Sequence, residues 1–229
     1  MKFLESTINL FQKKSLRQLV SNFRNEYISN GIDEASLKSN PIDQFEDWFN
    51  EAVDNKLIEP NVMHLSTATP YGKPSGRIML LKGFDERGFT FFTNYTSRKA
   101  NELAENKFAV MTFLWLGLFK QVRIEGTVEI ISTKESDDYF NSRPRGSQIG
   151  AWVSAQSKPI SDRTELEQKV DEIEKRFEGK AVTRPDNWGG YRLVPVCIEF
   201  WQGRASRLHD RIQYNLEKDH SWTKQRLSP

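Results

Sequence analysis

The chain has 229 residues and a mass of 26.7 kDa, which is enough for one sizeable hydrophobic core, with two small domains as the alternative. Its 33 basic and 31 acidic residues give a formal net charge of +2, which argues against a nucleic-acid-binding protein, because such proteins usually carry a dominant basic excess. The single cysteine, Cys197, excludes an internal disulfide, and no apolar run approaches the roughly 18 residues needed to cross a bilayer. We therefore expect no membrane partner and a cytoplasmic location.

The N-terminal segment, residues 1–23, carries four basic residues among scattered phenylalanines and leucines. A mitochondrial presequence is the alternative to a cytoplasmic protein, but Glu5 and the low arginine content count against it. We predict a mobile N-terminal segment over 1–23 and a single domain over 24–229.

The first long helix is predicted just after position 40. Asparagine followed by proline at 40–41 is typical of a helix N-terminus, and Ile42, Phe45, Phe49 and Val53 then form a predicted buried stripe. Beyond it the pattern changes to short β-rich runs, interrupted by a helix that Ser97 caps. The predicted strands of this part are 62–69, 75–84, 88–94, 107–115 and 119–131.

The second half alternates helices and strands. Ser132 and Glu135 form a capping box that predicts a helix ending near Arg143, and an amphipathic helix is predicted over 162–177. Strands are predicted at 191–201, 207–216 and 222–227. Short strands in hairpin order with interspersed helices predict an α+β fold, mainly antiparallel β, in the form of a closed or partly open barrel with flanking helices.

One cluster of chemistry-bearing residues lies at 139–157. Tyr139 and Arg143 are four apart and meet on one helical face, and Pro144 ends that helix. Ser147 then stands where a new helix, 148–154, is predicted to begin, and a helix N-terminus beside arginines attracts phosphate. The cluster predicts an anion site; the alternative is a capped helix pair with solvated arginines.

A second cluster runs from Arg207 to Arg211. In an extended strand Arg207, His209 and Arg211 would share one face, because strand side chains alternate. Such a row is suited to binding an anionic ring ligand and exchanging a proton with it. The alternative is a basic surface strand.

Together these segments resemble the pyridoxine (pyridoxamine) 5′-phosphate oxidase family. The resemblance is colinear from about residue 24 to residue 229, although 203–207 varies between two matched anchors and 179–186 is poorly specified. The matching stretches are 24–27, 40–45, 77–82, 93–100, 121–123, 143–152, 188–190, 199–203, 207–211 and 226–229. The resemblance implies an FMN-binding split β-barrel that works as a homodimer. It also implies oxidation of pyridoxine 5′-phosphate and pyridoxamine 5′-phosphate to pyridoxal 5′-phosphate, with dioxygen reduced to hydrogen peroxide.

The resemblance also assigns roles to individual residues, and it implies no metal. Arg207 and His209 are the expected catalytic residues, which orient the 4′ carbon and help to move a proton. The expected substrate-binding residues are Arg24, Tyr27, Lys82, Tyr139, Arg143, Ser147, Arg207, Leu208 and His209. The expected FMN-binding residues are Arg77, Ile78, Met79, Leu80, Phe92, Thr93, Arg98, Lys99, Gln121, Gln156, Ser157, Trp201 and Arg211. Arg77 and Lys82 lie five apart on one predicted strand, so they face opposite sides unless a bulge or a strand end intervenes.

Three other classes of function compete with this reading. A non-catalytic flavoprotein or vitamer carrier on the same barrel would not need Arg207 and His209. A flavin reductase would not need the set of Tyr139, Arg143 and Ser147. A nucleic-acid module is disfavoured by the near-neutral charge.

Overall fold

The computed structural model describes residues 26–229, so the segment predicted to be mobile, 1–23, lies outside the described residues. The first helix, α1 (Pro41–Asp54), begins where it was predicted, and the Asn40 side chain accepts the Ile42 amide hydrogen bond at 2.8 Å. Ile42, Phe45, Trp48 and Ala52 face the core. The prediction that Val53 is buried is wrong: it is 48% exposed, because it lies about 100° around the helix from Ala52.

The described part of the chain contains nine strands in one antiparallel sheet that curves into a half-barrel, which confirms the predicted fold class. The strand order is β2-β1-β5-β6-β7-β4-β3, and β8 and β9 extend from β7. The strands are β1 (Val62–Ala68), β2 (Pro74–Leu80), β3 (Gly83–Asp85), β4 (Gly88–Asn94), β5 (Phe108–Trp115), β6 (Lys120–Ile130), β7 (Trp188–Gln202), β8 (Asp210–Leu216) and β9 (Trp222–Leu227).

The long strand β7 joins the two halves of the sheet. Residues 191–202 of β7 pair with β6, residues 188–193 pair with β4, and residues 197–202 pair with β8. The register with β6 shifts at Gly126, where a Cβ atom would lie 2.0 Å from the carbonyl oxygen of Val194. Glycine is therefore required at this bulge, which bends the ladder between the two halves.

The single strand predicted over 75–84 is broken in the structure. Strand β2 ends at Leu80, and the next two amides bond in different directions: Leu81 donates to the carbonyl of Asn61 and Lys82 to that of Thr90, both at 2.9 Å. Because β2 and β3 lie at opposite ends of the strand order, the short link at Leu81 and Lys82 joins the two ends of the sheet. Arg77 and Lys82 therefore do not share a strand, and the alternation argument does not apply to them.

Four further helices are described: α2 (Arg98–Glu105), α3 (Thr133–Ser142), α4 (Arg145–Val153) and α5 (Arg163–Arg176). The predicted caps at Ser97 and Ser132 are confirmed, the latter as a full capping box with Glu135. The predicted start of α4 after Ser147 is wrong, because the helix begins at Arg145 with Pro144 in the capping position. Proline suits that position, since it lacks the amide hydrogen that a helix start leaves unpaired.

Strand β8 also begins later than predicted. Residues Ala205–Arg207 form a short 3₁₀ turn, and Ser206 and Arg207 have φ values of 56° and 60°. Left-handed backbone of this kind cannot continue an extended strand. The prediction that Arg207, His209 and Arg211 form one strand face is therefore wrong.

The buried apolar side chains form two clusters. The larger lies between α1 and the sheet, and its fully buried side chains include Phe45, Phe89 and Phe113. The smaller, with Phe140 and Trp188, lies beneath α3, α4 and α5. No helix within 26–229 is long and apolar enough to cross a membrane.

Candidate active site

The principal candidate site is a cavity of about 470 Å³ where the ends of β2 and β4 meet α3 and α4. Ten of the residues predicted from the sequence line it: Ile78, Met79, Leu80, Lys82, Phe92, Thr93, Tyr139, Arg143, Ser147 and Gln156. The structure thus brings the predicted substrate-phosphate residues together with much of the predicted cofactor set. It adds lining residues that the sequence analysis did not assign: Asn94, Gly150, Ala151, Ser154 and Trp188.

One wall of the cavity is a stack of aromatic rings. The ring centroids of Phe92 and Tyr139 are 3.9 Å apart, and those of Phe92 and Trp188 are 5.5 Å apart, with interplanar angles of 20° and 14°. Trp188 begins β7, directly opposite Asn94 of β4. The strand was predicted to begin at residue 191, so the sequence indicated Trp188 only through the matching stretch 188–190.

Arg143 packs against this wall without a full set of partners. Its guanidinium carbon lies 4.5 Å from the centre of the Trp188 ring. Its Nη1 is buried and makes no hydrogen bond with residues 26–229, and burial lowers the pKa of the guanidinium below its usual value. A desolvated guanidinium with an unmatched N–H group is well suited to a phosphate oxygen. The residues present therefore fit a phosphorylated ligand.

Lys99 forms a second cationic point, at the first turn of α2. Its ammonium donates to Thr93 Oγ1 and to Gln156 Oε1, each at 3.0 Å, and Thr93 in turn donates to the same Gln156 oxygen. Burial, followed by repulsion from Arg77, lowers the pKa of Lys99 to about 8. A buried ammonium beside neutral acceptors and another cation fits an anionic ligand such as the phosphate of FMN.

The predicted cofactor residues Arg77 and Arg98 converge on Glu102, which the sequence analysis did not single out. The buried Glu102 carboxylate accepts hydrogen bonds from Ser75 and Thr67 as well as from both arginines. Burial alone would raise its pKa, but these hydrogen bonds outweigh burial and hold the pKa at about 2. Glu102 is therefore ionised and fixes both arginines.

Ser157 lies on the other side of this cluster. It lines a shallow groove with Arg98 and Glu102, and its φ is 70°, a left-handed value that is rare for serine. Gln156 and Ser157 are adjacent in the chain, so this turn links the principal cavity to the arginine groove.

The remaining predicted cofactor residues form a separate row on the sheet. Gln121, Trp201 and Arg211 are direct cross-strand neighbours on β6, β7 and β8. Arg211 donates two hydrogen bonds to the buried carboxylate of Glu199, at 2.9 and 3.1 Å. None of the three lines the principal cavity, whereas Gln121 lines a second cavity of about 810 Å³ that Ile78 shares.

The turn that carries Arg207, Leu208 and His209 lies beside this row. The His209 ring is 4.7 Å from that of Trp201, and its Nδ1 accepts the backbone N–H of Arg204 at 3.1 Å. The proton of a neutral His209 ring therefore sits on Nε2. Arg207 is exposed and Leu208 is 67% exposed, so the apex of the turn projects from the surface.

Tyr27 packs onto the same turn. Its ring centroid lies 5.7 Å from that of His209 and 5.8 Å from that of Trp201. The segment after Tyr27 is held in place by a hydrogen bond of 2.9 Å from the Ile32 amide to the Asp210 carboxylate. Arg24, the other predicted residue of this segment, lies outside the described residues. The structure therefore groups Tyr27 with His209 rather than with Tyr139, Arg143 and Ser147.

The fold is that of the FMN-binding split-barrel proteins. A pyridoxamine 5′-phosphate oxidase-related, FMN-binding protein from Nostoc punctiforme superposes with a TM-score of 0.67 at 17% identity, covering 84% of this chain and all of that one. PhzG from Burkholderia lata, solved in complex with tetrahydrophenazine-1-carboxylic acid, superposes with a TM-score of 0.83 at 30% identity, covering 90% of this chain and all of that one.

Within that class the family is specific. Residues 49–177 match the family model described as pyridoxamine 5′-phosphate oxidase, and residues 188–229 match the pyridoxine 5′-phosphate oxidase C-terminal dimerisation region. The pyridoxine/pyridoxamine 5′-phosphate oxidase of a Nostoc species is 52% identical over 210 residues, covering 92% of this chain and 98% of that protein. The enzyme of the same name from Pseudomonas paraeruginosa is 50% identical over 216 residues. The chain belongs to the pyridoxine/pyridoxamine 5′-phosphate oxidase family of oxidoreductases.

Proposed function

We propose that this protein binds FMN and oxidises pyridoxine 5′-phosphate and pyridoxamine 5′-phosphate to pyridoxal 5′-phosphate, while dioxygen is reduced to hydrogen peroxide. The observation that carries the proposal is that the residues predicted to bind the substrate phosphate and residues predicted to line the flavin share one cavity. The names and identities of the relatives support the same activity.

The substrate phosphate is assigned to the end of the cavity formed by Lys82, Tyr139, Arg143 and Ser147. Two cations and two hydroxyl groups match a phosphate dianion in charge and in hydrogen bonding. Arg143 contributes most directly, since its buried Nη1 has a hydrogen to donate and no acceptor among the described residues. These residues hold the substrate by its phosphate and so orient the 4′ carbon within the cavity.

FMN is assigned to the adjoining part of the cavity and to the groove beside α2. Lys99, Arg77 and Arg98 would hold its phosphate with Ser157, and Thr93 and Gln156 would hydrogen-bond along its length. Residues Ile78–Leu80 and Phe92 would line the flavin. When bound, FMN supplies the acceptor for the two electrons that leave the substrate, and dioxygen regenerates it.

The row of Gln121, Trp201 and Arg211, together with the turn of Arg207 to His209, is assigned to the site across a homodimer interface. The turn does not line the principal cavity of its own chain, and it lies in the region that matches the family's dimerisation model. We assign Arg207 and His209 of a second copy to the substrate side of the cavity. There His209 would present Nε2 to the substrate, because Nδ1 is engaged by the Arg204 amide. Tyr27, and Arg24 beyond the described residues, are assigned to the same side.

The test is a flavin-binding and peroxide assay on the purified protein. After incubation with FMN and desalting, the protein should retain a yellow flavin spectrum and should release peroxide with pyridoxamine 5′-phosphate. Unphosphorylated pyridoxamine is the matched control, and it should be a poor substrate because it lacks the group that Arg143 binds. A protein that retains no flavin contradicts the proposal.

Two other results would point to other functions. Flavin retention without peroxide production would indicate a non-catalytic flavin or vitamer carrier. Turnover of a tetrahydrophenazine carboxylate in preference to the phosphorylated pyridine would align this chain with PhzG, whose solved complex holds that compound. The lining by Lys82, Tyr139, Arg143 and Ser147 favours the phosphorylated pyridine.

A further inference from the structure

We propose that Glu102 is a positioning residue for the cofactor phosphate: its carboxylate holds Arg77 and Arg98 in the orientation that binds this phosphate, and it thereby sets the preference for FMN over riboflavin. The inference rests on the proposed function, since it takes FMN as the cofactor. It assigns a role to a carboxylate that lies among cations without being a ligand itself.

The Glu102 carboxylate accepts hydrogen bonds from four protein groups. Its side chain is 7% exposed. Oε2 accepts from Thr67 Oγ1 and Ser75 Oγ, both at 2.5 Å, and from Arg77 Nη2 at 3.3 Å. Oε1 accepts from Arg98 Nε at 2.9 Å. The carboxylate is thus engaged by four protein donors, and as an anion it would not itself bind a phosphate, so its effect is exerted through its partners.

The two arginines are held in different ways. Arg77 is fixed on both terminal nitrogens, because Nη1 also donates to Leu65 O and Thr67 Oγ1 while Nη2 donates to Ser75 Oγ. Arg98 is 60% exposed, and Glu102 engages only its Nε. Its Nη1 and Nη2 make no hydrogen bond with the described residues. Glu102 therefore fixes the guanidinium at Nε and leaves the two terminal nitrogens available to a ligand. That is the geometry in which a guanidinium meets a phosphate with two parallel hydrogen bonds.

Charge and geometry make opposite predictions for Glu102. Arg77, Arg98, Lys99 and Glu102 sum to +2, which matches the charge of about −1.5 to −2 on a phosphate monoester. Coulomb's law alone says that removing Glu102 would strengthen phosphate binding, because it removes a nearby negative charge. A positioning role says that removal weakens binding, because Arg98 loses its only anchor in the described structure and Arg77 loses one of its four. The sign of the change therefore separates the two.

The experiment compares FMN with riboflavin, which lacks the phosphate, by quenching of flavin fluorescence on the apoprotein. Glu102→Ala should weaken FMN binding about tenfold, the value of roughly one charged hydrogen bond, while riboflavin binding stays within about twofold. Glu102→Gln keeps the length and one acceptor oxygen, so it should restore part of the FMN preference. The control is Glu105→Ala, which removes the same charge from the same helix, and Glu105 accepts no hydrogen bond from either arginine among residues 26–229. Glu105 lines the same groove, so removing its charge should leave the FMN preference equal or slightly stronger and should not weaken it.

Three outcomes overturn the inference. They are FMN binding by Glu102→Ala that equals or exceeds wild type, an equal loss of FMN and riboflavin, and the same loss of FMN preference in Glu105→Ala. If Glu102→Ala does not fold, Glu102→Gln decides: a two- to fivefold loss confined to FMN supports positioning, on the order of half a charged hydrogen bond, and an unchanged preference refutes it. Failure of the proposed function looks different, because then wild type itself shows no preference for FMN.

Discussion

Lys99 offers the most direct test of the phosphate assignment. Replacing it with methionine removes the ammonium and keeps an unbranched chain of similar length among the same neighbours. In the structure Lys99 contacts two neutral oxygens and lies near Arg77, and its pKa falls from 10.5 to about 8. That difference of about 2.5 pKa units corresponds to roughly 3 kcal/mol against the charged form. A phosphate that restores the ordinary pKa recovers at most this much, so Lys99→Met should weaken FMN binding by about 10- to 100-fold near pH 7.

The same shift predicts how FMN binding depends on pH. Below about pH 8 Lys99 is charged in the free and the bound protein, so it adds no pH dependence. Between about pH 8 and 10.5 the free protein has lost this proton and the bound form keeps it, so binding takes up a proton. The association constant should therefore fall by up to about tenfold per pH unit in that window.

Fluorescence titrations with FMN between about pH 7 and 9.5 at constant ionic strength measure this slope. Lys99→Met should give weak binding with no slope, and Lys99→Arg should give binding with no slope because arginine stays charged. Riboflavin controls for pH effects on the flavin ring. A flat wild-type profile, or the same slope in Lys99→Met, would refute the assignment of Lys99 to the phosphate.

Four further outcomes follow from the site. Arg143→Ala should raise KM for pyridoxamine 5′-phosphate by about 10- to 100-fold, the value of one charged hydrogen bond; an unchanged KM in steady-state kinetics would contradict the phosphate assignment. Arg207→Ala and His209→Ala should retain FMN after desalting and slow turnover by about 10²-fold, and wild-type kinetics in both would show that the turn is not part of the site. Arg211→Ala should lower FMN affinity, since Arg211 is paired directly with Trp201, and equal affinity in a fluorescence titration would remove it from the cofactor set. Light scattering should report a dimer, and a fully active monomer would exclude a site shared between two copies.

The helix starts and the phosphate-binding cluster were predictable because their signals are local. The side chains of Asn40, Ser97 and Ser132 each accept a hydrogen bond from an amide two or three residues later. The residues that cap these helices can therefore be recognised from the adjacent sequence. Tyr139 and Arg143 reach one cavity for the same reason: a helical spacing of four residues puts them on one face.

The rest depends on contacts between distant parts of the chain. The break after Leu80 is made by hydrogen bonds to Asn61 and Thr90, while the apolar run itself continues without a turn residue before Gly83. Glu102 reads as an ordinary exposed helix residue, because its donors on Thr67 and Ser75 are 35 and 27 positions away. The turn at Arg207 was predicted as strand because left-handed backbone there carries no glycine to signal it.

The principal cavity lies where the link at Leu81 and Lys82 brings the two ends of the sheet together. Ile78 to Leu80 of β2 lie on one side of the cavity and Phe92 to Asn94 of β4 on the other. The Lys82 amide joins the two sides by donating to the Thr90 carbonyl of β4, whereas the Leu81 amide bonds to Asn61 beside β1. A ligand in the cavity would contact both β2 and β4, and so would link the two strands where no strand hydrogen bonds join them. Separating β2 from β4 would then require the ligand to leave first. We therefore expect a ligand in the cavity to make opening of the barrel rarer, and amide hydrogen exchange along these two strands would measure the change.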